Sequence, residues 1–143
     1  MMVHRGVCSD VVKDIMTTNV ISIDKDLSIG DLKQMFEKYD FNSFPVVENG
    51  KLVGIVTKLD LLKSFSLGIE FHRDDYLEMM YAEKVGDIMR EAIVSMEPDE
   101  TVKSAIEYMI EFRLRSLPVV EKGQLVGMVS RKDVLRCLEM IAD

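Results

Sequence analysis

Two short runs hold the residues best suited to chemistry. Thr57-Lys58-Leu59-Asp60 and Ser130-Arg131-Lys132-Asp133 each set a hydroxyl three residues before a carboxylate. Each run lies where a β-rich stretch gives way to a helical one. A carboxylate in that position can accept two hydrogen bonds from a cis-diol. Free N–H groups at a helix start favour an anion beside it. Arg115, Arg131 and Lys132 bring positive charge to the second run, which suits a phosphate. The first run has only Lys58, with Asn42 in the place of Arg115. Plainer readings stand beside these. Asp60 and Asp133 can simply cap the helices that follow, and Thr57 and Ser130 can simply end strands. Arg113, Arg115, Arg131 and Lys132, taken singly, are solvated surface charges.

Other chemistry finds little support. No G-x-x-x-x-G-K-[ST] run occurs, and no G-x-G-x-x-G follows a strand. The histidines are His4 and His72. His72 stands beside Arg73, Asp74 and Asp75 and reads as part of a solvated stretch, since zinc usually needs three or four convergent ligands. No Ser–His–Asp or Cys–His spacing suggests a nucleophile. Cys8 and Cys137 form no C-x-x-C pair and read as small buried apolar side chains in a reducing cytoplasm. Met79, Met80 and Met89 read as core filling. Binding is expected, and catalysis is not.

Composition narrows the partners. The 143 residues carry a formal net charge of −7, so duplex DNA or RNA is a poor partner. An anionic small molecule needs only a few local cations. Hydrophobic residues make up 48% and charged residues 30%, the balance of a globular chain. Apolar runs are a few residues long, too short to span a membrane. The opening MMVHRGVCSD lacks the apolar stretch of a secretory signal.

The two runs belong to an internal repeat. Residues 12–62 align with 85–135 at a shift of 73 without gaps, and 18 of 51 positions are identical. V-x-D-I-M opens both copies, at Val12–Met16 and Val85–Met89. S-x-P-V-V-E-x-G-x-L-V-G-x-V follows at Ser43–Val56 and Ser116–Val129. Ile29, Leu32, Phe36 and Tyr39 mark one helix face, as do Val102, Ala105, Met109 and Phe112. Asp26 and Asp99 are expected near the N-caps of these helices. Short strands are expected at Val20–Ile23 and Ile93–Met96. Asn49-Gly50 suits a tight hairpin turn, and Lys122-Gly123 is a less ideal one. A final helix carries Leu61, Leu62 and Phe65 in one copy and Val134, Leu135 and Leu138 in the other.

The expected fold is α+β. Each copy is a small three-stranded mixed sheet with two helices, and the copies pack with pseudo-twofold symmetry to cover each other's apolar surface. Residues 1–11 form a tail, 12–67 the first repeat, 68–84 a spacer, and 85–143 the second repeat. Where the first repeat passes into the spacer, Leu67–Arg73 reads as a loop, and Asp75–Glu83 reads as a helix whose apolar side chains pack on the core or on a second copy.

These residues together resemble the CBS-domain family. The marks are Asp14-Ile15-Met16 and Asp87-Ile88-Met89, Phe44–Val47 and Leu117–Val120, and the G-x-V-[ST]-x-x-D runs Gly54–Asp60 and Gly127–Asp133. The resemblance covers all but the tail and spacer. It implies a regulatory module that holds AMP, ADP, ATP or S-adenosylmethionine in the cleft between repeats, with no obligatory cofactor and no metal. Asp60 and Asp133 would then take ribose hydroxyls, and Thr57 and Ser130 would sit near ribose or phosphate. Asn42, Ser43, Arg115 and Ser116 would meet phosphate, and Val20, Ile21, Ile93 and Val94 would border adenine. With Arg131 and Lys132 beside Asp133, the second copy should hold the stronger phosphate site. The family also implies a homodimer and an effector protein that reads the ligand. The rival expectation is an interaction scaffold with no physiological nucleotide.

Overall fold

A computed structural model describes residues 11–65, 78 and 80–139. Two compact units emerge, and they cut across the repeats. One unit comprises Ile21–Ile93, and the other joins residues up to Val20 with those from Val94 onward.

The first of these units begins with β1 (Ile23–Asp24) and α1 (Ile29–Lys38). Then come β2 (Ser43–Glu48), β3 (Lys51–Thr57), α2 (Lys58–Lys63) and the short α3 (Val85–Ile88). β1 runs parallel to β2, and β2 pairs antiparallel with β3, so this sheet is mixed. Asn49 and Gly50 take positive φ of 54° and 79°, as the two-residue hairpin requires. Ile29, Leu32 and Phe36 of α1 are buried with Phe44, Val46, Val56 and Val85. Phe36 and Phe44 have ring centroids 4.8 Å apart.

The other unit holds a 3₁₀ turn (Val12–Asp14), α4 (Val102–Glu111), β4 (Ser116–Glu121), β5 (Gln124–Ser130) and α5 (Arg131–Glu139). β4 and β5 pair antiparallel, in the same register as β2 and β3 after the shift of 73. Lys122 and Gly123 adopt φ of 51° and 81°, so the turn matches the first despite its poorer chemistry. The core here is aliphatic, with Val12, Met96, Ala105, Met109, Leu117, Val119 and Val129.

The crossing of repeats and units has a clear physical basis. Val85 and Gly86 donate their N–H groups to the carbonyls of Leu27 and Lys25 at 2.8 Å each. Val12 and Lys13 make the equivalent bonds to Glu100 and Pro98 at 2.9 and 3.0 Å. Each V-x-D-I-M segment therefore joins the opposite repeat. Its methionine lies over that repeat's conserved-by-repeat glycine: a Cβ on Gly54 would fall 2.4 Å from Met89 Sδ, and one on Gly127 would fall 2.5 Å from Met16 Sδ. The bare glycine surface is what admits the thioether.

Several local expectations need correction. Ser28 and Thr101, not Asp26 and Asp99, cap α1 and α4, accepting from Asp31 N–H and Ser104 N–H. Asp26 instead donates its N–H to the Asp24 carboxylate at 2.8 Å. The strand expected at Val20–Ile23 shrinks to Ile23–Asp24, and that at Ile93–Met96 shrinks to a parallel bridge between Met96 and Val119. Extended segments that pair at one end need not form a ladder. In the spacer, Glu78 and residues 80–82 are helical. Met80 is buried, while Tyr81 packs against Gly30 and stays largely exposed. Residues 68–77 of the spacer, including His72 and most of the expected loop, lie outside the described residues, as do Met79, His4 and Cys8. Cys137 is buried as expected but is disulfide-bonded, which departs from a free thiol.

Candidate functional site

The hydroxyl–carboxylate runs fold as helix-start boxes. Thr57 is the N-cap of α2: Asp60 N–H donates to Thr57 Oγ1 at 3.1 Å, and Thr57 N–H donates to Asp60 Oδ2 at 2.9 Å. Two of the free donors of a helix start are met by this reciprocal pair. In the other unit, Asp133 N–H donates to Ser130 Oγ at 3.1 Å, and Ser130 N–H donates to Asp133 Oδ2 at 2.8 Å. Ser130 Oγ also donates to Oδ2 at 3.0 Å. The capping role read from the sequence is thus real in both copies, and it leaves Oδ1 of each carboxylate outside the box.

The fate of Oδ1 separates the copies. In the unit of residues 21–93, Arg90 Nε donates to Asp60 Oδ1 at 3.0 Å. Asp60 is 7% exposed, so this is a part-buried charge with a dedicated partner. Among the described residues, no cation pairs with Asp133, which is half-buried.

The strand register gathers further hydroxyls. Ser116 lies opposite Ser130 across β4 and β5, and Ser43 lies opposite Thr57 across β2 and β3. Directly opposed residues share a sheet face. Arg115 and Lys132 are exposed near this junction in sequence. Arg131 is placed differently. Its Nε donates to the Leu114 carbonyl at 2.8 Å and its N–H to the Arg115 carbonyl at 3.0 Å, tying the start of α5 to the strand entry. Lys58 N–H makes the matching bond to the Asn42 carbonyl at 3.0 Å.

The four apolar positions divide between the units. Ile21 and Ile93 belong to the unit containing Asp60, and Val20 and Val94 to the unit containing Asp133. Ile21 packs partly on the Phe36–Phe44 core, and Val94 on the Met96–Val119 core. All four lie outside the helices and strands.

The Glu48 carboxylate, bonded to Lys25, holds that ammonium above its usual range. Glu100 likewise pushes the Tyr108 hydroxyl up. Among the described residues, no group of three or more His, Cys, Asp or Glu side chains is arranged to hold a metal.

Arg90 carries no motif signal of its own. It follows the D-I-M run, and its counterpart in the other copy is Thr17. Comparing the copies position by position exposes that difference, but only the crossed packing shows that Arg90 meets Asp60.

The architecture is that of a duplicated α+β module, with one hydroxyl–carboxylate box at each strand-to-helix junction. The CBS domain model matches residues 12–67 and 85–140, and the chain belongs to the CBS domain family. An uncharacterised protein of Methanocaldococcus jannaschii is 35% identical over 87% of this chain, which spans 43% of that relative's length. Among solved structures, CBSX2 in complex with AMP superposes with a TM-score of 0.79 at 24% identity, covering 94% of this chain and 100% of that one. The CBS domain pair of protein MJ0100, in complex with 5′-methylthioadenosine and S-adenosyl-L-methionine, superposes with a TM-score of 0.72 at 26% identity, covering 90% and 95%.

Proposed function

We propose that this chain is a regulatory module that binds an adenosine-type ligand, with Asp133 accepting the ribose diol and Ser130 and Ser116 beside it. One observation carries the reading: the Ser130–Asp133 box is built, yet no cation among the described residues occupies its carboxylate. A carboxylate held by its own helix start, with Oδ1 outside the box, is a preorganised acceptor for a diol. Exposed Lys132 and Arg115 supply charge for a phosphate or an anionic tail. The adenosyl compounds held by the MJ0100 pair favour the same ligand class. Val20 and Val94, on the same unit as Asp133, suit an adenine face. The ligand acts by shifting the populations of the chain's conformations, which an effector protein reads.

Thermal unfolding with AMP, ADP, ATP and S-adenosylmethionine tests this. A ligand at a hundred times its Kd stabilises the native state by about 2.7 kcal/mol. Asp133→Ala is expected to remove the shift. No shift with any of the four at millimolar concentration, or an undiminished shift in Asp133→Ala, overturns the reading.

A second reading concerns assembly. Ile110, Leu135 and Leu138 are 73%, 58% and 37% exposed, and with Ile106, Met109 and Val134 they line an apolar groove of about 500 Å³ between α4 and α5. Exposed Glu107 and Glu111 on α4 and Arg131 and Arg136 on α5 give this face both signs of charge. Such a face can meet a copy of itself about a twofold axis, so a homodimer is the occupant proposed.

A further inference from the structure

We infer that Arg90 sets how many ligands this chain accepts, by occupying the first-repeat carboxylate from within. The inference rests on the proposed binding role of the hydroxyl–carboxylate box.

The two boxes are nearly superimposable in their bonding. The amide-to-Oδ2 distances are 2.9 and 2.8 Å, and the amide-to-hydroxyl distances are 3.1 Å in both. A ligand meeting only the boxes would find two equivalent acceptors. Ser130 Oγ also donates to Asp133 Oδ2 at 3.0 Å, and the difference that adds a charge is at Oδ1, where Arg90 Nε stands 3.0 Å from Asp60. A guanidinium in that position supplies the hydrogen bond that a ligand hydroxyl would otherwise make. It is tethered, so it needs no association entropy to stay there. It is charged, so the bond is stronger than one from a neutral hydroxyl. A neutral diol has to compete with it for Oδ1 of a carboxylate that is 7% exposed.

The backbone that carries Arg90 is the same in both copies. Arg90 N–H donates to Ile55 O at 2.8 Å, and Ile55 N–H donates to Arg90 O at 2.9 Å. Thr17 and Met128 make the identical exchange at 2.8 and 2.9 Å. The register is therefore built without need of the arginine, and threonine already serves at the equivalent place. Thr17 has no cation to offer Asp133. Arg90 is 51% exposed, so removing its side chain opens no core cavity.

The experiment is calorimetric titration with AMP as the probe, read as sites per chain. The wild type is expected to bind one AMP, Arg90→Thr two, Asp133→Ala none, and the double variant one. Two sites in the wild type overturn the inference, as does an Arg90→Thr variant that folds and gains no site. Loss of a site in Arg90→Thr also overturns it, because Arg90 would then be a phosphate ligand. Arg90→Met, which keeps the aliphatic stem, replaces Arg90→Thr if the latter unfolds. If the wild type binds no AMP, the Arg90 inference is still decided by whether Arg90→Thr gains a site, and the Asp133 reading by the four-ligand thermal series.

Discussion

At the scale of single residues, Gly54 and Gly127 show how a duplicated motif encodes a contact with a distant segment. Both sit mid-strand, where glycine is ordinarily a weakness. Their value is the space that Met89 and Met16 fill. Gly127→Ala is expected to destabilise the protein by about 1–3 kcal/mol, because a Cβ there meets Met16 Sδ at 2.5 Å and the Thr17 carbonyl at 3.1 Å. Denaturant melts of Gly127→Ala and of Gly127→Ala/Met16→Ala check this. Partial recovery in the double variant assigns the cost to the thioether, and a neutral single variant removes the explanation. The Ser130–Asp133 and Thr57–Asp60 boxes were legible in the sequence, because hydroxyl and carboxylate are three residues apart and their pairing is local. The Arg90–Asp60 pair spans 30 residues and no spacing rule announces it.

At the scale of elements, the hairpins and helices follow their local signals. Buried Ile29, Leu32 and Phe36 keep the spacing expected of α1, and Val102, Ala105 and Met109 that of α4. The caps moved from Asp26 and Asp99 to Ser28 and Thr101, since the helix begins where its apolar stripe can first reach the core. The short V-x-D-I-M segments behave as elements of the opposite repeat. Val85 is fully buried among residues of the first repeat, and Asp87 closes its own turn by accepting Lys84 N–H at 3.0 Å. A fragment of residues 21–93 is thus expected to unfold cooperatively, whereas one of 12–67 is not. Losing Val85 alone forfeits roughly 1.5–3 kcal/mol of burial. Urea melts followed by circular dichroism decide between them, and equal cooperativity in both fragments refutes the crossed assignment.

At the scale of the whole molecule, exposed apolar side chains on α5 are the feature that a solitary chain leaves unexplained. Leu135 is 58% exposed, so Leu135→Glu should cost little folding stability in a monomer. It should shift sedimentation from dimer to monomer while leaving the unit's helical signal intact. A wild type that sediments as a monomer across micromolar concentrations counts against the assembly, and an unchanged dimer in Leu135→Glu moves the interface elsewhere.

The amino-acid sequence by itself determined the duplication, the α+β class, the two hairpins and the two boxes. Each of these depends on residues near one another along the chain, or on a period that a shift of 73 makes visible. The tertiary structure alone decided which repeat each V-x-D-I-M segment joins. That choice is made by backbone pairing over long separations, Arg90 with Ile55 and Thr17 with Met128, and nothing in local periodicity favours one partner sheet over its near twin. That choice, the same in both copies, turns the difference between Arg90 and Thr17 into a difference between Asp60, held by Arg90, and Asp133, which meets only its own helix start and Ser130 among the described residues.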